Sequence, residues 1–257
     1  MSVSVAAKLA GRLRALHQRA GMLVLPNAWD AASAKLFAEV GFPAVATSSR
    51  AIAAALGYED HQGTPPEEML AANARIAGSV SVPVTADLEA GYGLGSAELA
   101  EYLISANIAG LNLEDTDYAA GSGLVDAEQQ AERIAELNRA CRSAGFDPVV
   151  NARIDVLLHR ETVPGDVTAE LIRRARCYAE AGADSVFPIG VRSEEAIRAL
   201  VDAVDVPVNV LVYPGVPELP RLGELGVRRV SFGAGPAEVA LAALRTFAEG
   251  LLDTAIG

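Results

Sequence analysis

The sequence predicts an α/β protein, a (β/α)8 TIM barrel built as a single domain over residues 1–257, with one helix ahead of the first strand. Three observations carry that expectation. Short runs rich in Val and Ile alternate with longer stretches of helical period, and the alternation repeats eight times. The runs are apolar on both faces, as strands covered by helices on either side should be. Several helical stretches close on a glycine followed by an apolar residue, as in AEVGFPAV, AEAGADSV and GELGVRRV. The next strand then starts within about two or three residues, the short connection typical of α/β units. A doubly wound open sheet would place a Gly-rich phosphate turn after the first strand, whereas PNAWDAASA has no glycine.

The elements follow in order. MSVSVAAKLAGRLRALHQRAG reads as an amphipathic helix, expected to lie across the closed end of the barrel. It lacks the compact apolar segment and cleavage site of a secretion signal. Strand Met22–Ala28 precedes a helix around Ala31–Val40. Strand Ala44–Ser49 leads through a loop to a helix near Glu67–Ala77. Strand Val82–Glu89 precedes a helix near Ala97–Asn107. Strand Ala109–Asp115 leads through a loop to a helix near Ala127–Ala144. The last four strands, Pro148–Asp155, Ala183–Gly190, Val206–Val212 and Arg228–Gly235, precede helices near Thr168–Ala181, Glu194–Val204, Glu218–Leu225 and Pro236–Leu251.

Composition narrows the function. With 51% hydrophobic residues the chain can bury a large core, which excludes disorder. A formal net charge of -12 argues against a nucleic-acid partner. An anionic ligand then needs a local device, a metal ion or an arginine. Cys141 and Cys177 fall inside helical stretches at a spacing that fits no metal motif. No run approaches the ~18 apolar residues of a membrane helix. A cytoplasmic protein without a membrane partner is expected.

In such barrels the chemistry collects at the carboxyl ends of the strands. There the sequence places Asn27, Trp29 and Asp30; Ser48, Ser49 and Arg50; Asp87 and Glu89; Glu114 and Asp115; Asn151, Arg153 and Asp155; and Asn209. Asp87 and Glu89, two apart on a strand, are expected to share a face, with Glu114 beside them on the next strand. Three gathered carboxylates repel one another unless a cation sits among them, and hard oxygen ligands suit Mg2+ or Mn2+. The alternative is that each acid caps a helix or forms a salt bridge. Arg153 offers a two-point clamp for a carboxylate, or an internal pair with Asp155. Ser48–Arg50 is either a carboxylate cradle or a plain turn. Tyr92, Tyr118, His61 and Asp115 are the candidates for moving a proton.

Taken together, LPNAWD, LGYED, VPVTADLEAGYG, GLNLED, NARID, AGADSVF and VPVNVL resemble the isocitrate lyase / phosphoenolpyruvate mutase superfamily, from about Leu25 to Ala242. The resemblance implies a barrel whose last helix is often exchanged between subunits, and a homo-oligomer, dimer or tetramer. It implies Mg2+ held by Asp87, Glu89 and Glu114. It implies a small 2-oxo acid, such as pyruvate, or its enolate, with C–C or P–C chemistry beside the oxo group. By the same match Asp60 approaches metal and substrate, Arg153 holds the substrate carboxylate, and Ser48, Ser49 and Arg50 line it. The loop after the fourth strand, TDYAAGSGLVD, lacks the K-[KR]-C-G-H motif of the lyases and the K-x-N residues of the mutases. The reading is a Mg2+-dependent carbon–carbon lyase working through an enolate. A P–C mutase or hydrolase, or a non-catalytic 2-oxo acid binding protein, are the alternatives.

Overall fold

The computed structural model describes residues 4–121 and 123–256, with no side-chain description for 255 and 256. Eight parallel staves close into a barrel. The first is two short strands, β1 (Leu23–Leu25) and β2 (Asn27–Ala28), divided by Pro26. A proline has no N–H for a ladder, so the pairing changes side at that point. β1 pairs with β9 (Arg229–Ser231), and β2 pairs with β3 (Val45–Thr47). The sheet continues through β4 (Val84–Asp87), β5 (Gly110–Glu114), β6 (Val149–Ile154) and β7 (Ser185–Pro188). β8 (Asn209–Leu211) pairs with β9, and a parallel bridge from Val186 to Val208 closes the ring.

Helices α2 (Ala31–Val40), α4 (Pro66–Ala77), α5 (Ser96–Ser105), α6 (Ala127–Ser143), α7 (Val167–Glu180), α8 (Glu194–Ala203) and α9 (Leu219–Glu224) form the outer layer. The expected loop after the second stave carries one more helix, α3 (Ser49–Leu56), started by Ser48, whose hydroxyl accepts from the N–H of Ala51. Asp30, one of the polar strand-end residues, is the N-cap of α2 and accepts from the N–H of Ser33.

Helix α1 (Val5–His17) closes the floor, as expected from its position. Its Leu13 packs with Leu23, Leu25, Ala44, Ala46, Ala109 and Val149, where the strands begin. Arg14 ties the helix down on the carbonyls of Asp147 and Pro148 and on the Asp184 carboxylate. His17 is buried there. Helix α10 (Gly235–Ile256) leaves Val239, Leu244, Phe247 and Leu251 exposed. Among the described residues no helix is long and apolar enough to cross a membrane. Cys141 is buried and Cys177 half-buried, both free, and burial pushes the Cys141 thiol up to about 11.

Candidate active site

Register decides which residues meet at the barrel mouth. Asp87, the last residue of β4, pairs across from Asn112 on β5, and Glu114 pairs across from Arg153 on β6. The acids therefore stand on neighbouring staves at their carboxyl ends.

Each acid has a distinct set of partners. Asp87 accepts from the N–H and hydroxyl of Ser49, at 3.0 and 2.8 Å, and from Asn112 at 3.3 Å. Ser48 and Ser49 thus serve a helix cap and a protein carboxylate. Glu114 is fully buried, paired with Arg153 at 2.6 Å and hydrogen-bonded by the Tyr118 hydroxyl. Arg153 also forks onto Asp155 at 2.6 and 3.2 Å. Asp155 in turn accepts from Thr116 at 2.5 Å, and the Thr116 oxygen lies 3.3 Å from His159 Nε2. Of the two sequence readings of Arg153, the internal pair with Asp155 is present, with Glu114 as a second partner.

Glu89 departs from expectation. The strand ends at Asp87, and Glu89 lies in a turn at φ 46°, so the two acids do not share a strand face. Its carboxylate accepts from the N–H of Gln62 at 3.1 and 3.2 Å. His61 and Gln62 are themselves left-handed, at φ 64° and 58°, as is Tyr92 at 52°. Among the described residues the other non-glycine at positive φ is Asn107, so backbone strain gathers at the mouth. Strained non-glycine torsions persist where the surrounding structure over-determines them, and they cluster at ligand sites.

The electrostatics follow from burial. Burial pushes the Glu89 carboxyl up to about 7, with Tyr92 opposing and Asp87 and Asp60 adding to the shift. Burial lifts Glu114 well above the carboxylate range; Arg153 opposes this, while Asp155 and Asp87 reinforce it. Burial works against the Arg153 charge, yet Glu114, Asp155 and Asp87 hold its pKa above the ordinary value. Asp87, Glu89 and Glu114 thus sense one another, but they do not close into a three-acid cage. Among the described residues, no three His, Cys, Asp or Glu side chains are placed to hold a metal ion by themselves. The left-handed turn carries Glu89 off the strand line, and Glu114 is turned onto Arg153 and Tyr118. A hard cation still fits this donor set. Mg2+ keeps several waters and binds through one or two carboxylates. Burial raises the Glu89 and Glu114 carboxyls, and the Tyr92 hydroxyl and Gln62 amide nitrogen beside them are buried without well-formed hydrogen bonds.

The other expected residues divide. Asp60 is half-buried in the loop after α3, within electrostatic reach of Glu89. Arg50 is exposed and lies 3.8 Å from Glu238 of α10, away from the acids. It is the second residue of α3, and the ~100° turn per helical residue separates it from Ser49. Asp115 is not free to move a proton: it accepts from Arg174 at 2.9 Å, Tyr178 at 2.6 Å and the N–H of Asp155 at 2.8 Å. Asn27 and Asn209 stitch strands, bonding Thr47 and Phe232, and Ser231. Above the acids lies a cavity of about 970 Å³, lined by His61, Gln62, Thr116, Tyr118, Arg133, Asp155 and His159 among others. Gln62, Thr116 and Arg133 carried no signal in the sequence; they come into the site through loop paths.

An arginine and buried acids thus meet at the carboxyl ends of neighbouring strands of a (β/α)8 barrel, beside an open cavity. The particular family is given by comparison. Residues 13–252 match the family model described as phosphoenolpyruvate phosphomutase, and the chain belongs to that family. An uncharacterized protein of Mycobacterium tuberculosis is 32% identical over 93% of this chain and 88% of its own length. An oxaloacetate decarboxylase of Pseudomonas paraeruginosa is 31% identical over 88% of this chain and 79% of its own. The solved structure of 2,3-dimethylmalate lyase, a PEP mutase/isocitrate lyase superfamily member, has a TM-score of 0.84 at 28% identity, covering 100% of this chain and 90% of that one.

Proposed function

We propose that the protein is a Mg2+-dependent lyase that breaks or forms a C–C bond beside a small 2-oxo acid by way of an enolate. The observation that carries this is Arg153, a buried fork at the mouth, with Glu114, Asp155 and Asp87 gathered around it. Asp87, Glu89 and Glu114 would hold the ion, with water completing its shell. When bound, the ion stabilises negative charge on the oxo-acid oxygens. Arg153 orients the carboxylate, and Asp155 with Thr116 fixes the direction of the fork. Asp60 adds a carboxylate on the Glu89 side. Tyr118 holds a proton at its phenol oxygen between Glu114 and His61, whose Nδ1 is 3.5 Å away, and it borders the cavity. Relatives named for oxaloacetate decarboxylation and dimethylmalate cleavage support carbon–carbon chemistry.

The test is turnover of a panel of 2-oxo and 2-hydroxy acids with Mg2+, followed by product release. Asp87→Ala is expected to lower the rate by at least ~10²–10³-fold, the range for losing a preorganised electrostatic group. Retained turnover in that variant sinks the assignment. Consumption of phosphonopyruvate, read by 31P NMR, would move the reading to P–C chemistry.

The exposed apolar residues of α10 support a homo-oligomer, dimer or tetramer, in which this helix packs on a second copy. Light scattering should return a multiple of the chain mass; a monomer at micromolar concentration refutes it.

A further inference from the structure

The cavity above the acids contains a cation that the proposed chemistry does not use. Arg133, on the first turns of α6, is half-buried and lines the cavity wall. Its NH2 donates to the carbonyl of Ala90 at 2.6 Å, and among the described residues it makes no ion pair with a carboxylate. Three other inward arginines are matched by carboxylates, Arg153 with Glu114 and Asp155, Arg174 with Asp115 and Glu170, and Arg14 with Asp147 and Asp184, whereas Arg229 at the floor is unpaired but lines no part of this cavity. The acids that share the cavity with Arg133 are already engaged. Asp155 is held by Arg153, and Asp117 accepts from the N–H of Ala120. The same wall includes His159, His61 and Gln62. Burial lowers the Arg133 pKa, the direction expected of a cation removed from water without a counter-charge. A desolvated, unmatched guanidinium facing an open cavity is complementary to an anion.

We propose that Arg133, with His159 and the His61–Gln62 turn, forms a second anion site that receives the distal carboxylate of a dicarboxylic 2-oxo acid. This rests on the reading that the oxo-acid head binds at Arg153. The cavity wall includes Asp155 and Thr116, the residues that fix that fork, as well as Arg133. The competing role for Arg133 is to pin the turn that carries Glu89. It packs so closely there that a Cβ on Gly91 would fall 2.6 Å from its NH2.

Calorimetry with Mg2+ and a matched pair of ligands separates the two. 3,3-Difluoropyruvate has the oxo-acid head alone, and 3,3-difluorooxaloacetate adds the distal carboxylate. The wild type should prefer the dicarboxylate by at least ~10-fold, as a charge-assisted pair allows. Arg133→Met should cut that preference to below ~3-fold while the affinity for difluoropyruvate changes less than about twofold. His159→Gln, at a half-buried loop position on the cavity wall, should cut it by about two- to threefold. Equal weakening of both ligands in Arg133→Met identifies a turn pin and overturns the proposal. So does a full preference retained in either variant. If the wild type binds both ligands equally, the distal site fails while the Arg153 head site stands; if it binds neither, both fail.

Discussion

Arg153 and Arg229 are both buried inside the barrel, at opposite ends, and their surroundings differ in kind. Arg153 ends a strand at the mouth, where Glu114 and Asp155 close on it at 2.6 Å. Arg229 begins β9 at the floor, with only His17 Nε2 at 3.2 Å and the Asn112 carbonyl oxygen at 3.4 Å, and its Nε is unpartnered among the described residues. The mouth thus holds its arginine's pKa above the ordinary value, whereas burial at the floor lowers that of Arg229 to about 9. Asn112 links the ends: its amide donates to Asp87 and its oxygen accepts from Arg229 and from Asn151. The mouth carries more acid than its one arginine matches. The floor carries a cation beside the His17 imidazole of α1, with no carboxylate paired to it. A charge of the same type is closed on by two acids at one end and left without a carboxylate at the other.

The largest effect should come from removing each arginine in turn. Arg153→Met leaves Glu114 and Asp155 buried without their counter-charge, and breaking a buried pair from one side costs about 3–5 kcal/mol. Arg229→Met breaks no ion pair. It removes a costly desolvated charge and loses two hydrogen bonds, so its cost should stay within about 1 kcal/mol. Urea unfolding of both variants at pH 7 measures the contrast. Equal costs would mean that Arg229 is paired through Asp87 over a longer range, and the distinction between the ends would collapse.

Both arginines stood in apolar strand runs of the sequence, NARID and RRVSF, and only their position along the strand told them apart. That rule of position carried most of what was legible. It placed Asp87, Glu114 and Arg153 at the mouth, and the closed-end helix at the floor. It failed where the backbone left the strand. Nothing in VTADLEAGYG marks Glu89 as left-handed, because glutamate rarely adopts that torsion and a tertiary contact with Gln62 holds it there. Helix α3 was missed because SSRAIAAAL is short and follows directly on a strand, with only Ser48 as its start signal. Arg133 looked like any charged helix residue until α6 was laid against the Ala90 turn. Periodicity and strand-end polarity are local properties, and they survive in the sequence. Loop paths are set by contacts between distant residues, and they do not.

A smaller effect separates the two ends by pH. Glu89, at the mouth, has its folded pKa raised from 4.5 to about 7, mainly by burial. Its contribution to stability is complete below about pH 4.5 and is lost as pH rises through 7. His17, at the floor, has its folded pKa lowered from 6.5 to about 4, first by burial and then by Arg229. Its contribution is complete above about pH 6.5 and is lost as pH falls through 4. Each slope is at most ~1.4 kcal/mol per pH unit. Between pH 4.5 and 6.5 the two oppose each other, so removing either should expose the other relative to wild type. Glu89→Gln should make the chain lose stability on acidification across that window. His17→Gln should make it lose stability as the pH rises. Saturating Mg2+ should erase the Glu89 contribution and leave the His17 one untouched, since the proposed ion site includes Glu89 and lies at the mouth. Unfolding free energies for the three proteins at half-unit pH steps, with and without the ion, decide it. Curves that run parallel to wild type would show that neither group carries its shift, and a Mg2+ effect on the His17 arm would show that the ion's action is not confined to the mouth.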